Sequence, residues 1–202
     1  MLSRRARYSL RAVALLYVGV LVAAPLTVLC TRAIGQGTHQ FWAAISSPQA
    51  VAAFRLTGIV TVAAVGINVV FGIGVALLIA RTRLRGRRLL SALIDLPVSV
   101  SPIVVGLALV LVYGPYDGWF GAPLHRAGID VIYALPGMVL ATAFVTLPLI
   151  VRELVPVLEE VGIEQEQAAR VLGASAVQRF RRITLPTIKW ALAYGVVLSI
   201  AR

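Results

Sequence analysis

The chain has 202 residues, 59% of them hydrophobic and only 13% charged, against about 25% charged in a water-soluble domain, which excludes an ordinary soluble domain and indicates a membrane protein. Nineteen basic and 8 acidic side chains give a net charge of +11, a balance that in a soluble protein would suggest nucleic acid and here has to be located before it is interpreted. One cysteine, Cys30, excludes an intrachain disulfide and reads as an apolar filler at a helix end.

Four segments reach the length of about 20 apolar residues that a bilayer crossing needs. The first, residues 12–30, follows Arg4, Arg5, Arg7 and Arg11. It has the layout of a secretory signal, but its apolar stretch is longer than a signal core and no small-x-small cleavage site comes after it, so it reads as an uncleaved anchor. The second covers residues 58–80, with Gly66, Gly72 and Gly74 expected at close helix contacts. The third, residues 94–113, reads "IDLPVSVSPIVVGLALVLVY". Pro97 and Pro102 each remove a backbone donor, so an irregular start to this helix is expected, as a packing kink or as a break lining a water-filled path. Asp95 is expected to cap or pair locally at that start. The fourth span covers residues 131–151. A fifth begins at Trp190 and stops at Arg202, too short to cross, so the sequence reads as a fragment lacking at least the rest of that span.

The basic residues mark the two sides. Arg81, Arg83, Arg85, Arg87 and Arg88 lie between spans two and three, and Arg152, Arg170, Arg179, Arg181, Arg182 and Lys189 between spans four and five. With the N-terminal four, these make fifteen of the nineteen. Only Arg32, Arg55 and Arg126 fall in the intervening loops, with Arg202 at the end. The positive-inside bias then predicts a cytoplasmic N-terminus, cytoplasmic residues 81–88 and 159–186, and outward-facing residues 35–55 and 114–130. Most of the net charge is therefore topological signal.

Residues 152–189 hold five of the eight acidic residues and look like soluble protein between two spans. Gly162 can end a helix continuing from span four. A short helix fits residues 164–172, with Glu164 and Glu166 in the first turn, where the helix dipole favours anions. Gly173 suits the left-handed position after it. Ser175 and Gln178 have capping-box spacing. Val177, Phe180 and Ile183 then recur at helical spacing, Arg179, Arg181 and Arg182 fall in the last turns, and Pro186 is expected to close the unit. Two capped helices at a bend make a rigid element, and Ala168 and Ala169 leave a smooth face that a partner groove can approach. "QAARVLGASAVQRFRR" also has the look of a DNA-reading helix-turn-helix. Against that stand the absence of a third helix in the segment and the two flanking spans, which would hold the second helix near the headgroups.

Ala168-Ala169, Gly173 after three residues, Ile183 after nine more, then Leu185-Pro186: this spacing resembles the "EAA" loop of binding-protein-dependent ABC importer permeases. At the position of the family glutamate stands Gln167, with Glu166 one residue earlier, and either could take its role. Residues 68–114, above all "DLPVSVSP" at 95–102, resemble the W-type (CysW) family of sulfate and thiosulfate permeases, as does "FRRITLPTIKWALAYGVVLSIAR"; molybdate and tungstate permeases are more distant relatives. The resemblance implies an all-α, polytopic transmembrane bundle of MetI-like permease fold. Residues 1–202 would form one C-terminally truncated domain with a coupling loop at about 152–189. It implies a non-catalytic subunit in the cell membrane, assembled with a T-type permease, a dimer of cytoplasmic ATPases that bind the ATP and magnesium, and an extracytoplasmic sulfate-binding protein. Glu164, Glu166, Gln167, Ala168, Ala169, Gly173, Ser175, Ile183, Leu185 and Pro186 would form the ATPase-docking loop.

Ser99, Ser101 and Pro102 are candidates for the anion path; the alternative is that both serines bond to backbone of their own helix. The chain has no G-x-x-x-x-G-K-[S/T] loop, and its one lysine, Lys189, follows no glycine turn. His39 and His125 lie far apart without ligand-rich surroundings and read as surface loop residues. A membrane-embedded regulator or assembly factor is the other function class.

Overall fold

The computed structural model describes residues 4–35, 38–82 and 86–202, all helix and connecting turns, with no strand among them. Arg83 and Arg85 of the second basic cluster lie outside the described residues. The chain divides into two units, residues 1–56 and 57–202, and passes from one to the other within a single long helix.

In the first unit, α1 (Arg4–Gly35) carries the predicted anchor and continues past its expected ends. Every described side chain from Arg11 onward on α1 is exposed, including Leu15, Leu16 and Tyr17, as a helix needs whose apolar surface meets lipid or another chain. The Thr27 and Thr31 hydroxyls donate back to carbonyls one turn earlier, at 2.8–3.1 Å, so no hydroxyl of the two is left unpaired in an apolar setting. Arg32, expected in the loop that follows, is on this helix, as is Cys30 near its end. A short helix, α2 (Thr38–Ile45), comes next and carries His39.

The second unit is built around three long helices. α3 (Pro48–Arg81) holds predicted span two and also Arg55, which the sequence reading assigned to a loop. α7 (Leu135–Val161) begins four residues later than predicted: Tyr133 takes a φ of 60° and Pro136 sits in the first turn, so the chain turns into the helix there. It runs ten residues further, to Gly162 with its φ of 71°. The third is a continuous helical path over Ala176–Ala201: α9 (Ala176–Arg179), a π-helical turn (Phe180–Thr184), then α10 (Leu185–Ala201). Pro186 therefore does not close the charged unit, and span five does not begin at Trp190. The π turn widens the coil just before Pro186 and relieves the clash its ring would make with the carbonyl four residues back. The resulting 26-residue helix is long and apolar enough to cross a membrane, as are the helices over Val13–Arg32, Pro48–Arg81 and Leu135–Val161.

Predicted span three is two helices. α4 (Arg87–Ser99) and α5 (Pro102–Tyr113) meet at a bend of 110°. Pro97 is tolerated inside α4, so it is Pro102 that makes the break. It is in the first turn of α5 and holds Ser101 extended (φ −61°, ψ 139°), one residue after Val100, itself extended (φ −98°, ψ 138°), has ended α4. Between α5 and α7 lies α6 (Gly121–Arg126), where His125 Nδ1 is 2.6 Å from Asp130 Oδ1, so this histidine also stands on a helix and not in a loop.

α7 is the hub. Ile150, Leu154 and Leu158 of α7, Ala76 of α3 and Ile188 of α10 are fully buried against one another. In lipid this contact gains no hydrophobic term, since the tails are as apolar as leucine; it depends on close packing. Glycine allows it at two places. A Cβ on Gly72 would lie 2.8 Å from Ile150 Cγ2, and one on Gly195 would lie 3.1 Å from Ile150 Cα. Gly66 and Gly74, expected at contacts, face open space. Asn68 adds a polar tie: its amide donates to the Ala143 carbonyl at 3.0 Å and to Thr146 Oγ1 at 2.7 Å, bridging α3 and α7. Interhelical hydrogen bonds of this kind contribute about 0.6 kcal/mol each.

Candidate functional site

The charged segment folds as its caps dictate. After Gly162, α8 (Glu164–Val171) runs two turns with Glu164 and Glu166 at its start. It ends in a Schellman motif: Ala174 N donates to Ala169 O at 2.9 Å and Gly173 N to Arg170 O at 3.0 Å, with Gly173 at φ 85°. Two residues on, the Ser175–Gln178 capping box is complete. Gln178 N donates to Ser175 Oγ at 3.3 Å and Ser175 N to Gln178 Oε1 at 2.8 Å. Both ends of the bend are thus closed by local hydrogen bonds.

Its outer face is apolar. Val171, Leu172 and Val177 are 88, 86 and 66% exposed. A concavity of about 350 Å³ beside them is walled by Ala169, Leu172, Gly173, Gln178, Arg182 and Ile183, among others. Of the predicted loop residues, Glu164, Gln167, Ala168, Gly173, Ser175 and Pro186 are exposed, and Ala169, Ile183 and Leu185 are half-buried. Exposed apolar side chains on a rigid, charged bend are what a docking surface requires.

Glu166 points the other way. Its Oε1 accepts from Arg81 Nη2 at 3.1 Å and from Thr184 Oγ1 at 3.0 Å, joining the end of α3, α8 and the π turn at one oxygen. The two side chains of the ion pair are only 14 and 21% exposed. Gln167, one residue on, faces solvent. A helix-turn-helix reading fails here: α9 has four residues and runs through the π turn into α10, leaving no free second helix to enter a groove.

The candidate path residues gather at the α4–α5 bend. Ser101 caps α5, its Oγ accepting from Ile103 N at 3.4 Å, and Ser99 is exposed. Pro102 lines a cavity of about 270 Å³ with Val105, Ala141, Thr142, Val145, Thr146 and Arg202. Neither serine is in that wall. Thr142 and Thr146 were missed in the sequence; hydroxyls four apart in an otherwise apolar run were the available signal. Asp95 pairs with Arg152 Nε of α7 at 2.7 Å, so its partner is on another helix, not at its own helix end. Arg87 of α4 pairs with Glu159 of α7.

Residues 68–202 match the family described as binding-protein-dependent transport system inner membrane component. The chain belongs to that family. It is 44% identical over 190 residues to the sulfate transport system permease protein CysW of Synechococcus elongatus, covering 94% of this chain and 66% of that one. With the protein of the same name from Synechocystis it shares 43% over 198 residues, 98% of this chain and 71% of the relative. The sulfate transport system permease protein CysT of Salmonella typhimurium is 39% identical over 188 residues, 93% of this chain and 68% of the relative. The chain spans about two thirds of the length of these relatives.

Proposed function

We propose that this chain is a membrane-spanning, non-catalytic subunit of an ATP-driven importer of sulfate or thiosulfate, of the W type, forming half of the translocation path. The observation that carries the coupling role is the doubly capped bend of α8 and α9, set between two helices long enough to cross a membrane and presenting Val171, Leu172 and Val177 outward. A cytoplasmic ATPase dimer docks on that face, with Gln167 as the outward polar group and Glu166 holding the bend to α3 from behind. The chain's one lysine, Lys189, lies on α10 with its Nζ 5.3 Å from the Trp190 ring, far from any glycine turn. ATP and magnesium are therefore held by the ATPase, whose closure moves α8 as a lever. The N-terminus faces the cytoplasm, as the basic clusters indicate. The other permease subunit is of the T type, and an extracytoplasmic binding protein delivers the anion.

The substrate is taken from the relatives' names and fits the bend of α4 and α5. No basic side chain lies in the apolar stretches of the long helices. A dianion passing the bend meets weak donors, Ser99, the Ser101 hydroxyl and the N-terminus of α5, which favours an anion; a basic residue, Arg202, also lines the Pro102 cavity. Tight binding in the path is unnecessary when capture occurs outside it. Uptake of labelled sulfate by the full assembly, with molybdate as competitor, tests this. Ser99→Ala with Ser101→Ala is expected to lower uptake while the ATPase still co-purifies; unchanged uptake removes the serines from the path, and preference for molybdate removes the substrate.

A further inference from the structure

Resting on that reading, we infer that α4 is a transmission strut, clamped to α7 by two ion pairs of opposite polarity, which carries movement of the docking segment to the α4–α5 bend. The pairs are Arg87 on α4 with Glu159 on α7, and Asp95 on α4 with Arg152 on α7. Arg87 and Asp95 are separated by eight residues of one helix, and Glu159 and Arg152 by seven of the other. At about 1.5 Å per residue these are rises of about 12 and 10.5 Å. The two helices therefore run antiparallel with matched charge spacing.

Little else holds α4. Pro97 is its only buried residue, and Leu89, Leu93 and Leu96 are at least half exposed. Beside the Asp95–Arg152 pair lies a cavity of about 200 Å³, with Ser91 and Ile94 of α4 facing Val151, Val155 and Pro156 of α7 and Ile79 of α3 also in its wall. Packing between the two helices is loose beside that pair, with Leu90, Ser91, Ile94 and Val98 of α4 only half-buried. The polarity also fixes register. On α4 the basic end comes first and on α7 the basic residue comes first too, so in antiparallel orientation each cation meets an anion. A slip that brought Arg87 to Arg152 would set like charges together.

The chain connections give the clamp its use. α7 leads through Gly162 directly into α8, and α4 leads through Val100 directly into the bend at Ser101. A displacement of α8 that tilts the end of α7 is passed by the ion pairs to α4 and so to the bend. The carboxylates and guanidinia are 40–50% exposed, so neither pair is sealed inside the bundle, and it is their fixed register that keeps α4 moving with α7.

The test uses the full-length subunit in its assembly, reconstituted in vesicles, with labelled sulfate uptake and ATP hydrolysis measured together. Asp95→Arg and Arg152→Asp are each expected to lower the sulfate moved per ATP about fivefold or more, with hydrolysis persisting, and the double exchange is expected to restore the ratio. An unchanged ratio in the single variants, or a loss that the double exchange does not restore, overturns the strut. Should the reversals not reach the membrane, Asp95→Asn combined with Glu159→Gln is expected to give the same fall, and an unchanged ratio again overturns it. Spin labels at the exposed Leu93 and Glu160 supply a readout that needs no transported anion. Their separation is expected to stay fixed between nucleotide-free and ATP-locked assemblies and to vary once Asp95→Arg is present. Variation in the unmodified assembly overturns the strut, whereas an unmodified assembly that moves no sulfate overturns the substrate reading alone.

Discussion

Replacing Glu166 by alanine is expected to cost far more than replacing Gln167, although the two are neighbours on a two-turn helix. Glu166→Ala removes the acceptor for Arg81 Nη2 and for the Thr184 hydroxyl. It leaves behind a guanidinium that is 14% exposed and whose Nε is already buried without a hydrogen-bond partner among the described residues. Removing one partner of a fully buried pair costs about 3–5 kcal/mol because the other charge is stranded. The partial exposure here lets water reach the guanidinium, which lowers the expected loss to about 2–3 kcal/mol. Gln167 is exposed, so its truncation should stay within about 0.5 kcal/mol. Denaturation of the purified subunit in lipid discs, monitored by the near-ultraviolet signal, measures both. Adding Arg81→Met to Glu166→Ala should recover at least half of the loss, since the stranded charge is then gone. Equal effects of the two alanine variants, or no recovery in the double variant, would refute the assignment of Glu166 as an internal tie.

Gly173→Val should leave insertion intact but destabilise the α8–α9 bend by about 1–2 kcal/mol, since the φ of 85° is one a β-branched residue rarely adopts; loss of ATPase co-purification measures the consequence, and wild-type binding would show that the bend is not the docking element. Gly72→Val should disrupt the α3–α7 contact by about 1–3 kcal/mol through overpacking against Ile150, whereas Gly74→Val, at an open position, should be neutral; a thermal-shift comparison in lipid discs separates them. With Cys30→Ser as background, cysteines at the exposed Ser46 and Val171 should label from opposite sides of intact cells; labelling of both from outside would invert the charge-based topology.

What the sequence made legible was local. The Gly173 turn, the Ser175–Gln178 box and the Gly162 stop each depend on residues within one or two turns, and each formed as their chemistry requires. Prolines were harder. Pro102 was legible as a break, but the 110° between α4 and α5 depends on what each helix packs against. Pro186 looked like a terminator and instead lies within a continuous helical path, two residues past the end of the π turn over Phe180–Thr184. A proline's missing donor is written in the sequence; whether the preceding turn can widen around it is decided by tertiary neighbours.

Charge was the least legible property, for a physical reason. In a chain this apolar, the distribution of Arg residues across loops answers the question of sidedness so well that a second use of the same residues goes unseen. Arg81 and Glu166 are 85 positions apart and Arg152 and Asp95 are 57 apart, so no helical or strand period links them. Bundling of α3, α4 and α7 brings those cations to one end of the unit, where each meets a carboxylate from a different element. A headgroup layer tolerates such pairs because water remains in reach, and Arg152 and Asp95 are not enclosed by the bundle. The apolar middle does not tolerate them, and there the tie between helices is a neutral amide, Asn68. Burial thus goes with bond type: buried apolar contacts and one neutral amide join α3, α7 and α10, and half-exposed ion pairs join α4 to α7. A path that must open and close is served by that division, since a core held by exposed ion pairs would not keep its shape, whereas two ion pairs in fixed register let α4 follow α7 as one body.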